Sequence, residues 1–250
     1  HPVRSDTGRP NNWNANAIGL NKLAFNENSD IVKKRWRDCY VGVYRANQVL
    51  TNLDNIDLTT QNRVQIEAET RFLRGFFYYS LYRGYNNGSV IIHTTVPESS
   101  EDFYKSPSPA EDVYNLILSD LEFAYNNLPE QYENNQDIGR ATWGAAAAML
   151  GKLFINEHNY NDAKDKFQEI INSNLYGLTA NIGDNFDIEH EMNNESIFEI
   201  PFSTELKSGT SNGAADGPLG SEATSRARTL ATTQGGGYRT IMPSYYITML

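Results

Sequence analysis

Apolar side chains recur at helical spacing along much of the chain. From Asp30 to about Asp54 they fall at i, i+4 and i+7, which predicts one long amphipathic helix. A second periodic run, from about Thr60 to Tyr85, is apolar over much of its circumference, so this helix is expected to be central in its domain. Asn47 lies on the apolar face of the first helix. We predict that its side chain is buried and hydrogen-bonded to backbone as a structural bracket.

The pattern from Thr142 to Leu178 matches a tetratricopeptide helical hairpin, in which small residues let two helices approach closely. Gly151 and Ala163 are these small residues, and Phe154 and Phe167 are expected to fill the space beside the contact. The alternative of two unrelated amphipathic helices stays open, because the repeat consensus is degenerate. The hairpin is a packing unit and contains nothing that looks catalytic.

Polar residues and glycine predict where helices begin and end. In one tetrapeptide Ser108 is the expected N-cap, Pro109 takes the first helical position and Glu111 completes a capping box. Asn161 is predicted to cap the second helix of the hairpin, and Gly177 to provide its left-handed C-terminal cap.

Strand-like patterns are few. Residues 195–202 alternate polar and apolar positions and predict a strand, and residues 90–92 form a short β-like run. Residues 1–28 are crowded with Asn, Gly and Pro, and residues 203–237 are rich in Gly, Ser, Thr and Ala, so both segments are expected to be irregular.

These patterns predict a mostly α fold, in which tetratricopeptide-like helical hairpins form an α-solenoid-like stack with long irregular loops and a little β structure. We expect one domain over residues 1–250. Its parts would be a loop region at 1–29, a helical core at 30–178 and an irregular ligand-side region at 179–250.

The composition narrows the class of partner. The chain has 250 residues and a formal net charge of −10, from 31 acidic residues against 21 Lys and Arg. Because nucleic-acid binding needs a basic surface, this balance argues against a nucleic-acid partner and favours neutral or weakly charged ligands. No apolar run is long enough to predict a membrane-spanning helix.

Motifs for catalysis, metals and cofactors are missing from the sequence. The histidines are scattered, and the zincin-like start at His190 fails because the second ligand position holds Asn194. The acidic residues around His190 are compatible with a hard cation, but a solvated acidic loop explains them as well. No nucleophile elbow, Walker loop or dinucleotide fingerprint occurs. We therefore expect no enzyme, no metal and no cofactor, although paired carboxylates for hydrolysis remain an alternative.

The chain resembles a known protein family, because several short sequence motifs occur in it in the same order as in that family. Glu67–Tyr79 looks like an E-x-R-F-L-R-A helix, Gly139–Thr142 opens the hairpin, Tyr160 and Ala163 lie within it, and Asn194–Ile200 follows it. This series is similar to the SusD/RagB family of outer-membrane nutrient-binding lipoproteins of Bacteroidetes. The resemblance covers about residues 20–202 and resumes at about 235–250.

Two departures from the family are visible. Members begin with a lipid-modified Cys and an N-terminal segment, and they continue well beyond the position of Leu250. We therefore expect this chain to be part of a longer protein that lacks its lipidated N-terminus and its C-terminal part.

The resemblance implies a surface-exposed lipoprotein of the outer membrane. It would capture oligo- or polysaccharide and deliver it to a SusC-like TonB-dependent transporter. Family members bind glycans with an arc of aromatic and polar side chains on loops. By position in the chain, this arc corresponds to Trp13 and Tyr238 as stacking platforms, with Asn12, Asn14 and Arg239 as hydrogen-bonding neighbours. Sugar rings pack their C–H faces on aromatic rings, while amides and guanidinium groups bond the hydroxyls.

Three other interpretations stay open. A peptide-binding uptake protein of the RagB type is an alternative within the family. A non-enzymatic tetratricopeptide-like scaffold for protein interactions is another, and it predicts that Trp13 packs against the helices instead of facing solvent. A hydrolase is disfavoured by the missing motifs.

Overall fold

In the computed structural model, the described residues are 8–10, 15–200 and 241–243. The chain divides into two compact units, of which one is formed by His1–Asp38 and Phe202–Leu250 and the other by Cys39–Pro201.

Helices dominate the described residues, as predicted. They are α1 (Ala15–Asn21), α2 (Asp30–Asn52), α3 (Thr60–Gly84), α4 (Ala110–Asn127), α5 (Trp143–Asn156) and α6 (Tyr160–Asn172). Short 3₁₀ turns lie at Leu53–Asn55, Asn86–Gly88, Ser100–Phe103, Asn135–Asp137, Ile182–Phe186 and Ile188–His190. The predicted helices at 30–54 and 60–85 are confirmed as α2 and α3.

In the second unit, helices that follow each other in sequence also pack together: α3 contacts α4, α4 contacts α5, and α5 contacts α6. The core between them contains fully buried side chains of α3, α4 and α5, including Ala68, Phe72, Leu81, Val113, Ile117, Leu121, Ala146 and Leu153. A stack in which each element buries its neighbour is the arrangement of helical-repeat proteins.

A buried polar network joins α2, α3 and α4 to the loop after α3. Asn47 is fully buried; its amide nitrogen donates to the His93 carbonyl at 2.8 Å and its amide oxygen accepts from Arg74 at 3.0 Å. Arg74 also donates to both Asp120 oxygens, at 2.7 and 2.8 Å. The Tyr78 hydroxyl donates to the His93 carbonyl at 2.9 Å and accepts from the His93 N–H at 2.7 Å. The predicted role of Asn47 as a bracket is confirmed.

The predicted hairpin is also confirmed, since α5 and α6 pack together. A Cβ atom added to Gly151 would lie 2.6 Å from the Phe167 ring, so this position requires glycine for the observed approach. Ala163 is 2% exposed and Phe154 is 9% exposed. The small residues of the motif therefore allow the close contact, and the aromatic residues fill its sides.

The predicted helix caps are wrong. Ser108 is held by the preceding loop, because its N–H donates to the Val90 carbonyl at 2.9 Å and its carbonyl accepts from Ser89 at 2.7 Å. As a result α4 begins only after Pro109, and Ser108 does not cap it.

The caps predicted for the second hairpin helix are also replaced by neighbouring residues. Asn161 lies inside α6, whose first residue is Tyr160. The helix ends at Asn172, and the left-handed residue after it is Asn174, with φ of 57°, in place of Gly177. Asparagine tolerates this conformation better than most residues, which makes an early stop possible.

The predicted strand at 195–202 does not form over residues 195–200, its described part. The Glu199 carboxylate accepts from the Met192 N–H at 3.1 Å and from the Ser196 hydroxyl at 2.9 Å, and these bonds curl the segment back on itself. The β-like run at 90–92 is likewise not a strand.

The first unit contains a helix and two strands that sequence patterns missed. Helix α1 lies in the segment predicted to be irregular, and it buries Ala17 and Leu20. The strands β1 (Gly8–Pro10) and β2 (Ile241–Pro243) pair antiparallel, with Pro10 opposite Ile241. The limits given above for the parts of the domain stay a prediction.

Candidate functional site

The residues predicted to bind the ligand all lie outside the described residues: Asn12, Trp13, Asn14, Tyr238 and Arg239. The described residues next to them in sequence are Pro10 at the end of β1, Ala15 at the start of α1 and Ile241 at the start of β2, and Pro10 is paired with Ile241. In sequence, Trp13 follows Pro10 by three positions and Tyr238 precedes Ile241 by three positions.

A cleft in the second unit brings together side chains that sequence reasoning did not connect. It has a volume of about 310 Å³. The connection between α4 and α5, the segment after α6 and the chain at 192–199 form its walls. Its lining includes aromatic and charged side chains, namely Glu130, Tyr132, Arg140, Tyr176, Phe198 and Glu199.

One wall is fixed by a network around Glu69, a residue of α3. The Tyr132 hydroxyl donates to Glu69 and lies 2.9 Å from both the Glu69 carboxylate and the Ala141 carbonyl. Arg140 donates to the other Glu69 oxygen at 3.0 and 2.7 Å, and to Asp137 at 2.7 Å. The Arg140 guanidinium also lies 5.4 Å from the centre of the Tyr132 ring. Both side chains therefore have a set position.

The pKa values of both Tyr132 and Arg140 are raised above their ordinary values. Burial, together with the Glu69 carboxylate, raises the pKa of the Tyr132 hydroxyl above its ordinary value, so the hydroxyl stays protonated. Hydrogen bonds from Arg140 to Glu69 and Asp137 raise the pKa of its guanidinium further. The positive charge of Arg140 is thus fully paired with carboxylates of its own chain.

Another part of the cleft lining is formed by Tyr176. Its hydroxyl lies 3.1 Å from the hydroxyl of Thr142, which caps α5 by accepting from the Ala145 N–H. The ring covers Gly144 so closely that a Cβ atom there would lie 2.3 Å from the Tyr176 hydroxyl. Glycine in the first turn of α5 is thus what lets this ring lie against the helix.

The acidic cluster around His190 shows no metal site. Asp187 and His190 contact each other at 2.9 Å, and both are about half exposed. Among residues 8–10, 15–200 and 241–243, no group of three or more His, Cys, Asp or Glu side chains is arranged to hold a metal ion.

The sequence carried some signal for the cleft. The run Gly139–Thr142 is one of the stretches that carry the family resemblance, and it supplies Arg140 and Thr142 to the cleft. Tyr132 and Tyr176 had no motif, since each acts through a contact with a residue far along the chain. Tyr132 bonds Glu69, which is 63 positions away.

A stack of sequence-adjacent helices that includes a tetratricopeptide-like hairpin, with an amphipathic cleft beside it, defines a helical-repeat protein with a candidate binding cleft. Comparison with known families shows which family of helical-repeat proteins this is. The family model described as "Starch-binding associating with outer membrane" matches residues 2–155, which is more than half of the chain. The chain belongs to this SusD-like family. The description names binding and not catalysis, in agreement with the expectation of a non-enzymatic protein.

Individual proteins are similar to this chain in sequence or in fold. A SusD-like protein of Formosa agariphila is 28% identical over 177 residues, which are 70% of this chain and 33% of that protein. The crystal structure of a SusD superfamily protein from Bacteroides vulgatus superposes with a TM-score of 0.81 at 24% identity, over 98% of this chain and 50% of the other. Surface glycan-binding protein A from Bacteroides uniformis has a TM-score of 0.68 at 27% identity, over 78% of this chain and 43% of the other.

The chain spans about a third of the length of the curated relatives it matches. None of the helices in the described ranges has the length and apolar character needed to cross a bilayer.

Proposed function

We propose that this chain is part of a cell-surface protein that captures oligo- or polysaccharide and delivers it to a SusC-like TonB-dependent transporter of the outer membrane. The observation that carries the proposal is the match to a family described by starch binding and outer-membrane association. The similarity to surface glycan-binding protein A from Bacteroides uniformis supports a glycan ligand and a location at the cell surface. The transporter partner and an N-terminal lipid anchor follow from the family resemblance.

The proposed ligand-binding loops carry Trp13 and Tyr238 as stacking platforms, with Asn12, Asn14 and Arg239 beside them. The pairing of β1 with β2 supports this assignment. Successive Cα atoms are about 3.8 Å apart, so three steps hold Trp13 within about 11 Å of Pro10 and Tyr238 within about 11 Å of Ile241. Since Pro10 faces Ile241 in the ladder, both loops depart from one point.

A fluorescence titration with soluble polysaccharides tests the proposal. We expect saturable binding of at least one neutral polysaccharide, weakened roughly tenfold or more in Trp13→Ala and in Tyr238→Ala, which corresponds to about 1.4 kcal/mol or more. Tyr104→Ala is the matched control, because this ring is 87% exposed and lies in neither loop. Each variant is first checked by circular dichroism for an unchanged helical spectrum.

The outcomes separate the competing functions. Binding that survives both loop substitutions would remove the loops as the site while leaving glycan capture in place. Absence of binding to every glycan, together with binding of a cationic peptide, would replace glycan capture by peptide uptake of the RagB type. The net charge of −10 makes a cationic peptide the one to test.

A further inference from the structure

The cleft beside the hairpin has the features of a preformed ligand site. Its two tyrosine rings are held in place by the chain itself, Tyr132 through Glu69 and Tyr176 through Thr142 and the glycine beneath it. Because these rings are ordered by internal contacts, a ligand would not bear the entropy cost of fixing them. Preformed aromatic walls with a few polar groups are typical of small-molecule sites.

Polar groups of the cleft remain available. Within the described part of the chain, Glu130 and Gln131 make no side-chain hydrogen bond. Glu199 uses one carboxylate oxygen for Met192 and Ser196, and its other oxygen accepts nothing there. These free groups are mainly acceptors, so the complementary ligand is one that brings hydroxyl donors.

The charge of the cleft excludes anions. Glu130 and Glu199 line it, Glu69 and Asp137 lie directly behind its wall, and the guanidinium of Arg140 is already paired with the last two. Four carboxylates around one paired guanidinium leave the cleft negative. A uronic acid or a sulfated sugar would meet repulsion there with no free cation in the wall to offset it.

The remaining candidates are a neutral sugar and an ammonium group. The Arg140 guanidinium lies over the Tyr132 ring, so one face of that ring already has a cation–π partner. This makes the ring a poorer partner for the ammonium group of a ligand. The cleft also presents apolar side chains, Ile138, Met192 and Ile197, which suit the C–H faces of a pyranose better than a hydrated ammonium. Its volume of about 310 Å³ is at the lower end of the range for small-ligand sites, roughly 300 to 1,000 Å³, and fits a short saccharide segment.

We propose that this cleft binds one or two neutral sugar units and rejects anionic ones, through the rings of Tyr132, Tyr176 and Phe198 and the carboxylates of Glu130 and Glu199. This inference rests on the proposed glycan-binding function. It adds a contact distinct from the loops of Trp13 and Tyr238, and it limits the ligand class to neutral glycans.

The test uses the whole chain, isotopically labelled, and amide chemical shifts measured by NMR. The probes are neutral trisaccharides of glucose, mannose, galactose and xylose, a galacturonic acid trimer and trilysine. We expect saturable shifts of the amides of Tyr176, Ser196 and Glu199 with at least one neutral trisaccharide and none with the galacturonate.

Three variants make the result specific. Tyr176→Ala removes one aromatic ring from the cleft lining. Gly144→Ala displaces the same ring, because the added Cβ atom would collide with it, and alanine favours the helix. The second variant therefore still tests the cleft if the first does not fold. Both variants should weaken binding of the neutral trisaccharide at least tenfold. Glu133→Gln, an exposed residue of the same connection outside the cleft, should change nothing.

The results distinguish this inference from the function on which it rests. Polysaccharide binding that depends on Trp13, without shifts at the cleft amides for any trisaccharide, would overturn the cleft and keep glycan capture. Cleft shifts with trilysine or galacturonate alone would overturn the ligand class. No glycan binding at either place would overturn both.

Discussion

At the scale of single residues, the buried carboxylate of Asp120 decides how three helices meet. It is fully buried and accepts two hydrogen bonds from Arg74, whose third contact is the Asn47 amide oxygen. Burying two charges costs free energy, which their mutual attraction and complete hydrogen bonding offset. The network therefore stabilises the fold only while every member is present.

Removing one partner should expose this dependence. Asp120→Ala leaves the Arg74 charge buried without its carboxylate, so we expect the free energy of unfolding to fall by about 3 to 5 kcal/mol. Urea unfolding followed by circular dichroism measures it. Glu122→Gln, on the exposed side of the same helix, serves as control and should stay within about 0.5 kcal/mol. A loss for Asp120→Ala no larger than that of the control would contradict this account.

At the scale of elements, the hairpin of α5 and α6 depends on the absence of a side chain. Glycine in a helix is unfavourable by about 1 kcal/mol relative to alanine, so local preference alone would favour Gly151→Ala. The Phe167 ring, 2.6 Å from the added Cβ, opposes it. Packing decides the outcome here, because this ring of α6 lies directly against α5 at the glycine.

Two glycine substitutions separate these effects. We expect Gly151→Ala to lower the free energy of unfolding by about 1 to 3 kcal/mol, since the helices must shift apart. Gly84→Ala, at the end of α3 with open space around its Cβ, should be neutral or stabilising by up to about 1 kcal/mol. Thermal unfolding of both variants beside the parent chain checks this. Equal shifts of the same sign would show that propensity and not packing governs Gly151.

At the scale of the whole molecule, tyrosines whose pKa values are raised in the folded state make its stability depend on alkaline pH. Burial raises the pKa of Tyr78 to about 12, and burial together with Glu157 raises that of Tyr82 to about 12. Tyr40 and Tyr132 are raised as well, each mainly by burial. In the unfolded chain these hydroxyls ionise near pH 10, so between pH 10 and about 12 the unfolded state binds fewer protons than the folded state.

Stability should therefore be fully present below pH 10 and fall as the pH rises towards 12. Urea unfolding at a series of alkaline pH values, with tyrosinate absorbance recorded in parallel, gives the slope of the free energy of unfolding against pH. We expect a smaller slope in Tyr82→Phe, which removes one of the raised groups, and an unchanged slope in Tyr104→Phe, whose ring is 87% exposed. A slope that is the same in both variants would mean that Tyr82 does not contribute to the alkaline loss.

The local sequence predicted those structural features that depend on residues close together in the chain. The spacing of apolar residues predicted α2, α3 and the hairpin, and Gly151 marked the close helix contact, because helical periodicity and steric size act within one or two turns. Caps were predicted less well. Ser108 has the right chemistry for a cap, yet its backbone bonds Ser89 and Val90, and that competition is invisible in a local pattern.

The sequence by itself determined the helical class, the hairpin and the buried role of Asn47, and its ordered motifs determined the family resemblance. Only the tertiary structure decided which distant residues meet. It paired Pro10 with Ile241, joined Tyr132 to Glu69, and set Tyr176 over Gly144 to form the cleft. The physical reason is range: periodicity and propensity act along a few residues of chain, whereas a cleft depends on contacts between segments that only folding brings together.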